Sequence, residues 1–305
     1  MKSVLVTGGA GFIGRYVLQE LLARGLSVVS YDRDFIPAPG HSGIATVQGE
    51  LYDIPALLAA IRSHDVGAVI HTAGQSHPGH SIDRPLPTFV ANLDGTLHVF
   101  EAVRLARDVR VINFSSECVY GDSPGPIDEA SALDPLTPYG VSKVAGELLA
   151  RSYVRHHGLD IISLRIAEVY GPGLRMPEVM NDMIKTVVVG TSFDLPSGVD
   201  HPFHFVHAQD VARAAVAACV TGGLAGRSFN ICAGEQTTLG RLAAIVRERL
   251  PEARIDLGAG YLPAWDRQGP WLMEAARKEL GFAPTWTLRS GVSQLIDHHL
   301  EGARH

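Results

Sequence analysis

Residues 4–14, Val-Leu-Val-Thr-Gly-Gly-Ala-Gly-Phe-Ile-Gly, constrain this chain more than any other stretch. Val4, Leu5 and Val6 read as a buried strand, and glycines follow at positions 8, 9, 11 and 14. Phe12, Ile13, Val17, Leu18, Leu21 and Leu22 then recur at helical spacing. The order is strand, glycine turn, helix. Such a turn needs glycine because the backbone bends sharply and approaches a ligand with no Cβ in the way. The helix behind it aims free N–H groups and the positive end of its dipole at that ligand, ideally a pyrophosphate. Gly9, Gly11 and Gly14 satisfy G-x-G-x-x-G, and Gly8, Gly11 and Gly14 satisfy G-x-x-G-x-x-G. A glycine motif alone also fits a turn that binds nothing. Here Asp32 follows a second apolar strand at 26–31, where an acid would take ribose hydroxyls.

Beyond this unit, strand patterns fall at 3–7, 26–31, 45–48, 67–72 and 109–115, with helices at 12–24, 54–63 and 85–106. Alternation of this kind predicts an α/β fold, a doubly wound parallel sheet with helices on both faces. Right-handed crossovers bring the strand C-terminal ends to one edge. There the third strand runs into Glu50 and Leu51, placed to meet an adenine, and the fourth into Thr72, Ala73 and Gly74, small enough for a cofactor to lie against the backbone. After a strand at 160–165 the pattern loses regularity. The expected division is a dinucleotide-binding domain at 1–166, with a return segment near 203–222, and a smaller substrate-binding region at 167–202 and 223–305. An alanine-rich helix at 208–221 carries the return, and all three tryptophans (265, 271, 286) fall in the smaller region.

Charge narrows the partners. The net charge of −6, from 26 basic and 32 acidic residues with no basic run, argues against nucleic acid and against an anionic membrane surface. No apolar run approaches a membrane span. The first strand begins within three residues of the start, so no secretory leader is expected. The three cysteines (118, 219, 232) are scattered, lack metal spacing and suit a reducing compartment, so a cytoplasmic protein is expected. His201, His204 and His207 share no strand face and carry no accompanying acid pattern, so no metal is expected.

Thr137-Pro138 starts a further helix with a capping residue and a proline in its first turn. Tyr139 and Lys143 are four apart on it, one turn from each other on one face. A phenol titrating near ~10 is a poor base at neutral pH, and lowering it by about three units takes about 4 kcal/mol of preferential phenolate stabilisation. A neighbouring ammonium and an oxidised nicotinamide are a source of that field. Ser116, at the end of the neighbouring strand, is placed to hydrogen-bond the same substrate oxygen.

Together, Thr7-Gly8-Gly9-Ala10-Gly11-Phe12-Ile13-Gly14, Ser115-Ser116 with Val119-Tyr120-Gly121, and Pro138-Tyr139-Gly140-x-Ser142-Lys143 resemble the extended short-chain dehydrogenases/reductases. More narrowly, the chain resembles the NAD-dependent epimerase/dehydratase family acting on sugars and sugar nucleotides. Ser76-His77 with Ser81-Ile82, Asn92-x-x-Gly95-Thr96, Leu164-Arg165, Val169-Tyr170-Gly171-Pro172 and Asp210-Val211-Ala212 extend the resemblance over nearly the whole chain. It implies that Tyr139 is the base, that Lys143 holds the ribose and tunes Tyr139, and that Ser116 assists. It also implies cofactor contacts from Gly8, Gly11, Phe12, Ile13, Gly14, Asp32, Arg33, Thr72, Ala73, Gly74 and Asn92, and a homodimer built on the helices at 85–106 and 137–157. An acid at 32 would repel a 2′-phosphate, which favours NAD over NADP, although Arg33 lies beside it.

Three departures bear on the substrate. Glu168 stands where sugar-nucleotide members often carry Asn, and Phe203-His204 stands where they often carry an arginine that grips a diphosphate. Glu117-Cys118 stands where dehydratases show an Asp-Glu pair, so dehydration is expected less than oxidation or epimerisation. Glu117 also fits a loop carboxylate bound to backbone N–H groups. An acid gained and an arginine lost point to a free sugar, sugar acid or polyol-like substrate, unless Arg175 or Arg267 substitutes. Ser76, His77, Glu117, Cys118, Glu168, Arg175 and His204 are the candidate substrate contacts. The expected function is an NAD-dependent epimerase or dehydrogenase. The alternatives are a non-catalytic NAD(P)-sensing or scaffold protein and a sugar-nucleotide dehydratase.

Overall fold

Val4, Leu5 and Val6 are buried whichever way they point, the unbroken apolar run of a central parallel strand. A computed structural model describes residues 2–34, 43–263 and 265–302; positions 1, 35–42, 264 and 303–305 of the expected domains lie outside the described residues. In chain order, β1 (Ser3–Thr7), α1 (Phe12–Ala23), β2 (Val28–Asp32), β3 (Ile44–Gln48), α2 (Ile54–Ser63) and β4 (Val66–His71) come first. They are followed by α3 (Pro78–Asp83), α4 (Pro85–Phe89), α5 (Gly95–Ala106), β5 (Arg110–Ser116), α6 (Pro138–His157) and β6 (Ile161–Ile166). Next come β7 (Glu168–Tyr170), α7 (Val179–Val188), β8 (Phe193–Leu195), β9 (Pro202–His207), α8 (Ala208–Val220) and β10 (Ser228–Ile231). The chain closes with β11 (Gln236–Thr238), α9 (Leu239–Arg249), β12 (Ile255–Leu257), α10 (Glu274–Leu280) and α11 (Leu288–Gly302).

Seven strands form one sheet in the order β10-β6-β5-β4-β1-β2-β3, and every pairing is parallel. The chain leaves β1 toward β2 and β3, then returns to β4 on the other side of β1. The crevice beyond β1 and β4 is therefore the switch point, where ligands of open α/β sheets bind. On one face α1 buries Val17, Leu18 and Leu21 against a core that includes Ala212, Ala214 and Ala215 of α8. Alanine lets the two backbones approach closely, and each large apolar side chain buried there contributes about 1.5–3 kcal/mol. On the other face Leu57, Ile61, Val99, Val103 and Ala150, from α2, α5 and α6, form a separate core.

Three expectations need correction. The single helix at 85–106 is interrupted: α4 passes into a wider turn at Val90–Asp94 before α5 resumes. Such a turn adds a residue to the helix, and Asn92 within it is buried. Second, the return to the large sheet is not confined to 203–222. β9 pairs with β7 and β11 in a separate three-stranded sheet, whereas β10, further along, joins the edge of the large sheet beside β6. Third, the region after 167 is more regular than its sequence suggests, since α7, α9 and α11 enclose a core of their own with Phe203 and Phe205 of β9.

One buried charge network fixes the β5–β6 side of the cleft. Glu147 of α6 and Arg165 of β6 are almost wholly inaccessible and pair through Nε–Oε1 at 2.9 Å and an Nη–Oε2 contact at 2.8 Å. Ser115 donates to the same carboxylate at 2.6 Å, and Arg165 also donates to the Tyr120 hydroxyl at 2.8 Å. Adjacent strand residues face opposite ways, so Ser115 turned toward α6 leaves Ser116 turned toward the cleft.

Candidate active site

At the N-terminal end of the cleft the glycines are required by geometry. Gly8 has φ +72°, and a Cβ there would lie 2.7 Å from the Ala73 nitrogen across the switch point. A Cβ on Gly14 would lie 2.1 Å from the Gly8 carbonyl oxygen. Gly11 is the N-cap of α1 and, having no side chain, leaves the first-turn N–H groups uncapped. The Asp32 carboxylate reaches back to the loop and accepts from the Ala10 N–H at 2.9 Å and the Asp34 N–H at 3.0 Å. A close backbone turn, an open helix N-terminus and an acid beside it fit a dinucleotide.

The remaining expected cofactor residues divide. Thr72 donates to the Thr7 carbonyl at 2.8 Å and lines the cleft with Phe12 and Ile13. Ala73 and Gly74 continue the loop after β4, where a Cβ on Gly74 would meet Asn92 Oδ1 at 2.8 Å. Asn92 does not open on the cleft. Its amide accepts from the Gln75 N–H at 2.8 Å and donates to the Gln75 carbonyl and the Ser142 hydroxyl, both at 3.0 Å. It holds the β4 loop to α6. The Arg33 side chain is largely exposed beside Asp34. Glu50 is exposed with its carbonyl accepting from Tyr31 at 3.0 Å, and Leu51 packs against the α2–α5 core.

Beyond β4 and β5 the cleft deepens into a cavity of about 300 Å³. Ser116, Tyr139 and Lys143 share its wall. Thr137 caps α6 by accepting from the Gly140 N–H at 3.1 Å, and Ser81 accepts from the Tyr139 N–H at 3.0 Å, which fixes the first turn. Ser116 accepts from the Cys118 N–H at 3.2 Å and favours ionisation of the Tyr139 phenol. Lys143 donates to the Phe114 carbonyl at 2.8 Å, and its Nζ lies 5.6 Å from the centre of the Tyr139 ring. Burial lowers Lys143 to about 8. Burial raises the Tyr139 phenol, and Cys118, Glu168 and Glu117 add to the rise, with Ser116 acting the other way. The expected lowering of the phenol is thus absent from the protein alone. Beneath the site His71 bridges Thr7 at 2.7 Å and Thr96 at 3.1 Å, and burial, then Lys143, lowers it to about 3, so it is neutral.

The candidate substrate residues Ser76, His77, Glu117, Cys118, Glu168 and His204 all line this cavity. Ser76 donates to the Met176 sulfur at 3.0 Å, and His77 caps α3 by accepting from the His80 N–H at 3.0 Å. Glu117 and Glu168 influence one another, and burial raises both, Glu168 to about 7. Burial also raises the Cys118 thiol, keeping it protonated. Arg175 is exposed and no part of the lining, so it does not replace the missing arginine. Arg267 lies in an adjoining depression, paired with Asp122 at 2.9 Å and stacked over Tyr261.

Two acids on the cavity wall were not among the candidates. Glu178 caps α7, accepting from the Met180 and Asn181 N–H groups at 2.8 and 2.9 Å, and burial raises it to about 8. Asp266 is raised to about 6, by burial and then by Asp122. Pro177-Glu178 before an apolar run was a readable helix start; Asp266 gave no signal in the sequence. The three histidines diverge. His201 packs edge-on to Phe203 and Trp265, His204 stacks on Trp271 and His207 on Trp286. No grouping of metal-ligating residues occurs among the described residues. Trp265 is partly exposed on the cavity wall, whereas Trp271 is packed inside.

A switch-point cleft with a glycine turn at one end and a serine, tyrosine and lysine at the other defines a nicotinamide-dependent α/β enzyme. The model of the NAD dependent epimerase/dehydratase family matches residues 4–232, and the chain belongs to that family. It is 28% identical to the dTDP-glucose 4,6-dehydratase of Streptomyces niveus over 318 residues, covering 96% of this chain and 91% of that protein. It is 27% identical to a putative UDP-glucose 4-epimerase of Methanocaldococcus jannaschii, covering 96% and 97%. Among solved structures, the UDP-glucose 4-epimerase of Thermus thermophilus, complexed with NAD, superposes with a TM-score of 0.87 at 27% identity, covering 97% of this chain and 98% of that one. The cofactor is NAD. No described helix is long and apolar enough to cross a membrane.

Proposed function

We propose that this protein oxidises a carbinol of a sugar-like substrate, releasing the carbonyl product as a dehydrogenase or restoring the alcohol with inverted configuration as an epimerase. Bound NAD supplies the acceptor for the carbinol hydride. Ser116 hydrogen-bonds the substrate hydroxyl, and the Tyr139 oxygen takes its proton. Lys143 holds the nicotinamide ribose, and its ammonium opposes protonation of the phenol. Gly8, Gly11 and Gly14 admit the pyrophosphate to the N-terminus of α1, and Asp32 takes the adenosine ribose hydroxyls. What carries the reading is that Ser116, Tyr139 and Lys143 share one wall of a cavity opening at the switch point. The reading keeps two domains, a dinucleotide side formed mainly by residues 1–166 and a substrate side formed mainly by residues 167–305.

A dehydratase is the second reading, and one contact favours it. Elimination of water requires an acid as well as a base. Glu117 has a partner acid in Glu168 from another strand, where Cys118 leaves none beside it in sequence.

The test incubates the protein with NAD and a panel of free sugars, amino sugars, uronic acids and UDP-sugars, with nicotinamide absorbance and product stereochemistry measured together. Net reduction selects the dehydrogenase, inversion without reduction the epimerase, and loss of water the dehydratase. Binding of NAD with no turnover of any compound would overturn the enzymatic reading. A cytoplasmic homodimer completes the proposal, supported by the unpaired Cys118, Cys219 and Cys232 and by exposed Leu86, Val141 and Leu148 on α4 and α6. A monomeric mass in solution would remove the dimer.

A further inference from the structure

The charge on the cavity wall is lopsided. Glu117, Glu168, Glu178 and Asp266 all line it; among the described residues no arginine does, and Lys143 at the nicotinamide end is the only lysine. Glu178 is satisfied by the α7 N–H groups. No described cation forms a salt bridge with Glu117, Glu168 or Asp266. Glu117 and Glu168, both partly buried, lie close enough to influence one another, and such a pair shares a proton or receives a cation, because two uncompensated charges side by side are costly.

Two further observations lie on the same wall. His201 and His204 are almost wholly buried, and among the described residues His201 Nδ1 and His204 Nε2 have no hydrogen-bond partner. Burial lowers both rings to about 4, so they are neutral and each presents a lone pair or a single N–H. A donor-rich ligand would satisfy them. The second observation concerns Tyr139, whose phenolate is opposed by Glu117 and Glu168. A positive charge set against those carboxylates would remove the opposition at the atom that must lose its proton.

We propose that the substrate is an amine-bearing sugar or polyol without a diphosphate, its ammonium received by Glu117, Glu168 and Asp266 beside the Tyr139 phenol. This rests on the reading of the cleft as an NAD-dependent carbinol-oxidising site. A diphosphate fits poorly here. Arg267, in the adjoining depression, is already neutralised by Asp122, which also accepts from the Arg267 N–H at 2.8 Å. A phosphate brought there would meet the Asp122 carboxylate as well.

The experiment measures calorimetric binding to the NAD-loaded protein. The probes are D-glucosamine, D-galactosamine, D-mannosamine and 3-amino-3-deoxy-D-glucose, each beside its hydroxyl parent, with UDP-glucose for comparison. At least one amino sugar should bind about tenfold or more tightly than its parent, the size of one charge-assisted hydrogen bond. Glu168→Gln and Asp266→Asn, both isosteric, should each reduce that advantage while leaving NAD affinity unchanged; either variant suffices if the other does not fold. The proposal is overturned if a parent sugar or UDP-glucose binds more tightly than every amino sugar, or if the advantage survives both substitutions. Turnover of a neutral or nucleotide sugar with no amine preference would sink this proposal and leave the reading of the site standing. Amine binding by a protein that takes up no NAD would sink the reading of the site instead.

Discussion

The Lys143 ammonium is held by the Phe114 carbonyl at 2.8 Å and stands 5.6 Å from the centre of the Tyr139 ring, over its face rather than at its hydroxyl. Lysine and tyrosine one turn apart therefore do not make an ion pair. Burial, then Cys118, Glu168 and Glu117, push the phenol up. In the proposed reaction, activation of Tyr139 would draw on the positive charge of the oxidised cofactor, so the base would be assembled only when the cleft is filled.

Tyr139→Phe removes the proton acceptor and leaves the ring. Turnover should fall at least about a hundredfold, the usual size of a general-base contribution, with NAD affinity retained. Steady-state kinetics and a cofactor titration on the same preparation check this, and near-normal turnover would refute the assignment.

Asp32→Ala removes the acid beside the glycine loop. NAD should bind about tenfold or more weakly, consistent with the loss of a charged hydrogen bond, and discrimination against NADP should relax. Asp32 also braces the Ala10 N–H, so some loss is expected for both cofactors, but the larger loss belongs to NAD. Parallel titrations with the two cofactors decide it. An unchanged preference would place the ribose elsewhere.

Gly14→Ala puts a methyl group where the Gly8 carbonyl oxygen now is. Backbone must move to admit it. The expected cost is about 1–3 kcal/mol of stability, typical of overpacking, together with weakened NAD binding because the displaced turn is the one that meets the pyrophosphate. Denaturant unfolding with and without NAD measures both effects. Retention of full stability and full affinity would show that the turn is not constrained as described.

Burial raises Glu178 to about 8, Glu168 to about 7 and Asp266 to about 6, whereas unfolded carboxyls ionise near about 4. Across that window the native state binds more protons than the unfolded state, so stability should fall as pH rises toward about 8. Glu178→Gln keeps an acceptor for the α7 N–H groups and removes one titrating group, so the slope should flatten. Urea midpoints across the window, for both proteins, provide the measurement. A rising slope would mean that these acids are charged in the native state.

The parallel sheet is legible in the sequence because its central strands are continuous apolar runs and its first turn is built on glycines with one geometric use. Strand ends are displaced by a residue or two; β2, for example, is Val28–Asp32 rather than 26–31, because apolarity marks burial and not hydrogen bonding. The single helix expected at 85–106 fails for a related reason. Its apolar spacing continues through the wide turn, and only the buried hydrogen bonds of Asn92 reveal the extra residue. Ser116, Tyr139 and Lys143 are legible because two lie on one helix and the third ends a strand. Asp266 is not, since it reaches the cavity from a connection with no periodicity. Ser115 donates to Glu147, which is consistent with Ser116 as the serine proposed for the site.

The wide turn at Val90–Asp94 sets the rotational phase of everything behind it. An ordinary helix advances about 100° per residue. Deleting one residue there would give a smoother rod, but it would swing the Thr96 hydroxyl off His71 and turn the Val99 and Val103 stripe away from the sheet. The irregularity works like the offset tooth of a gear, keeping a long connecting rod in step with the floor of the cleft it supports.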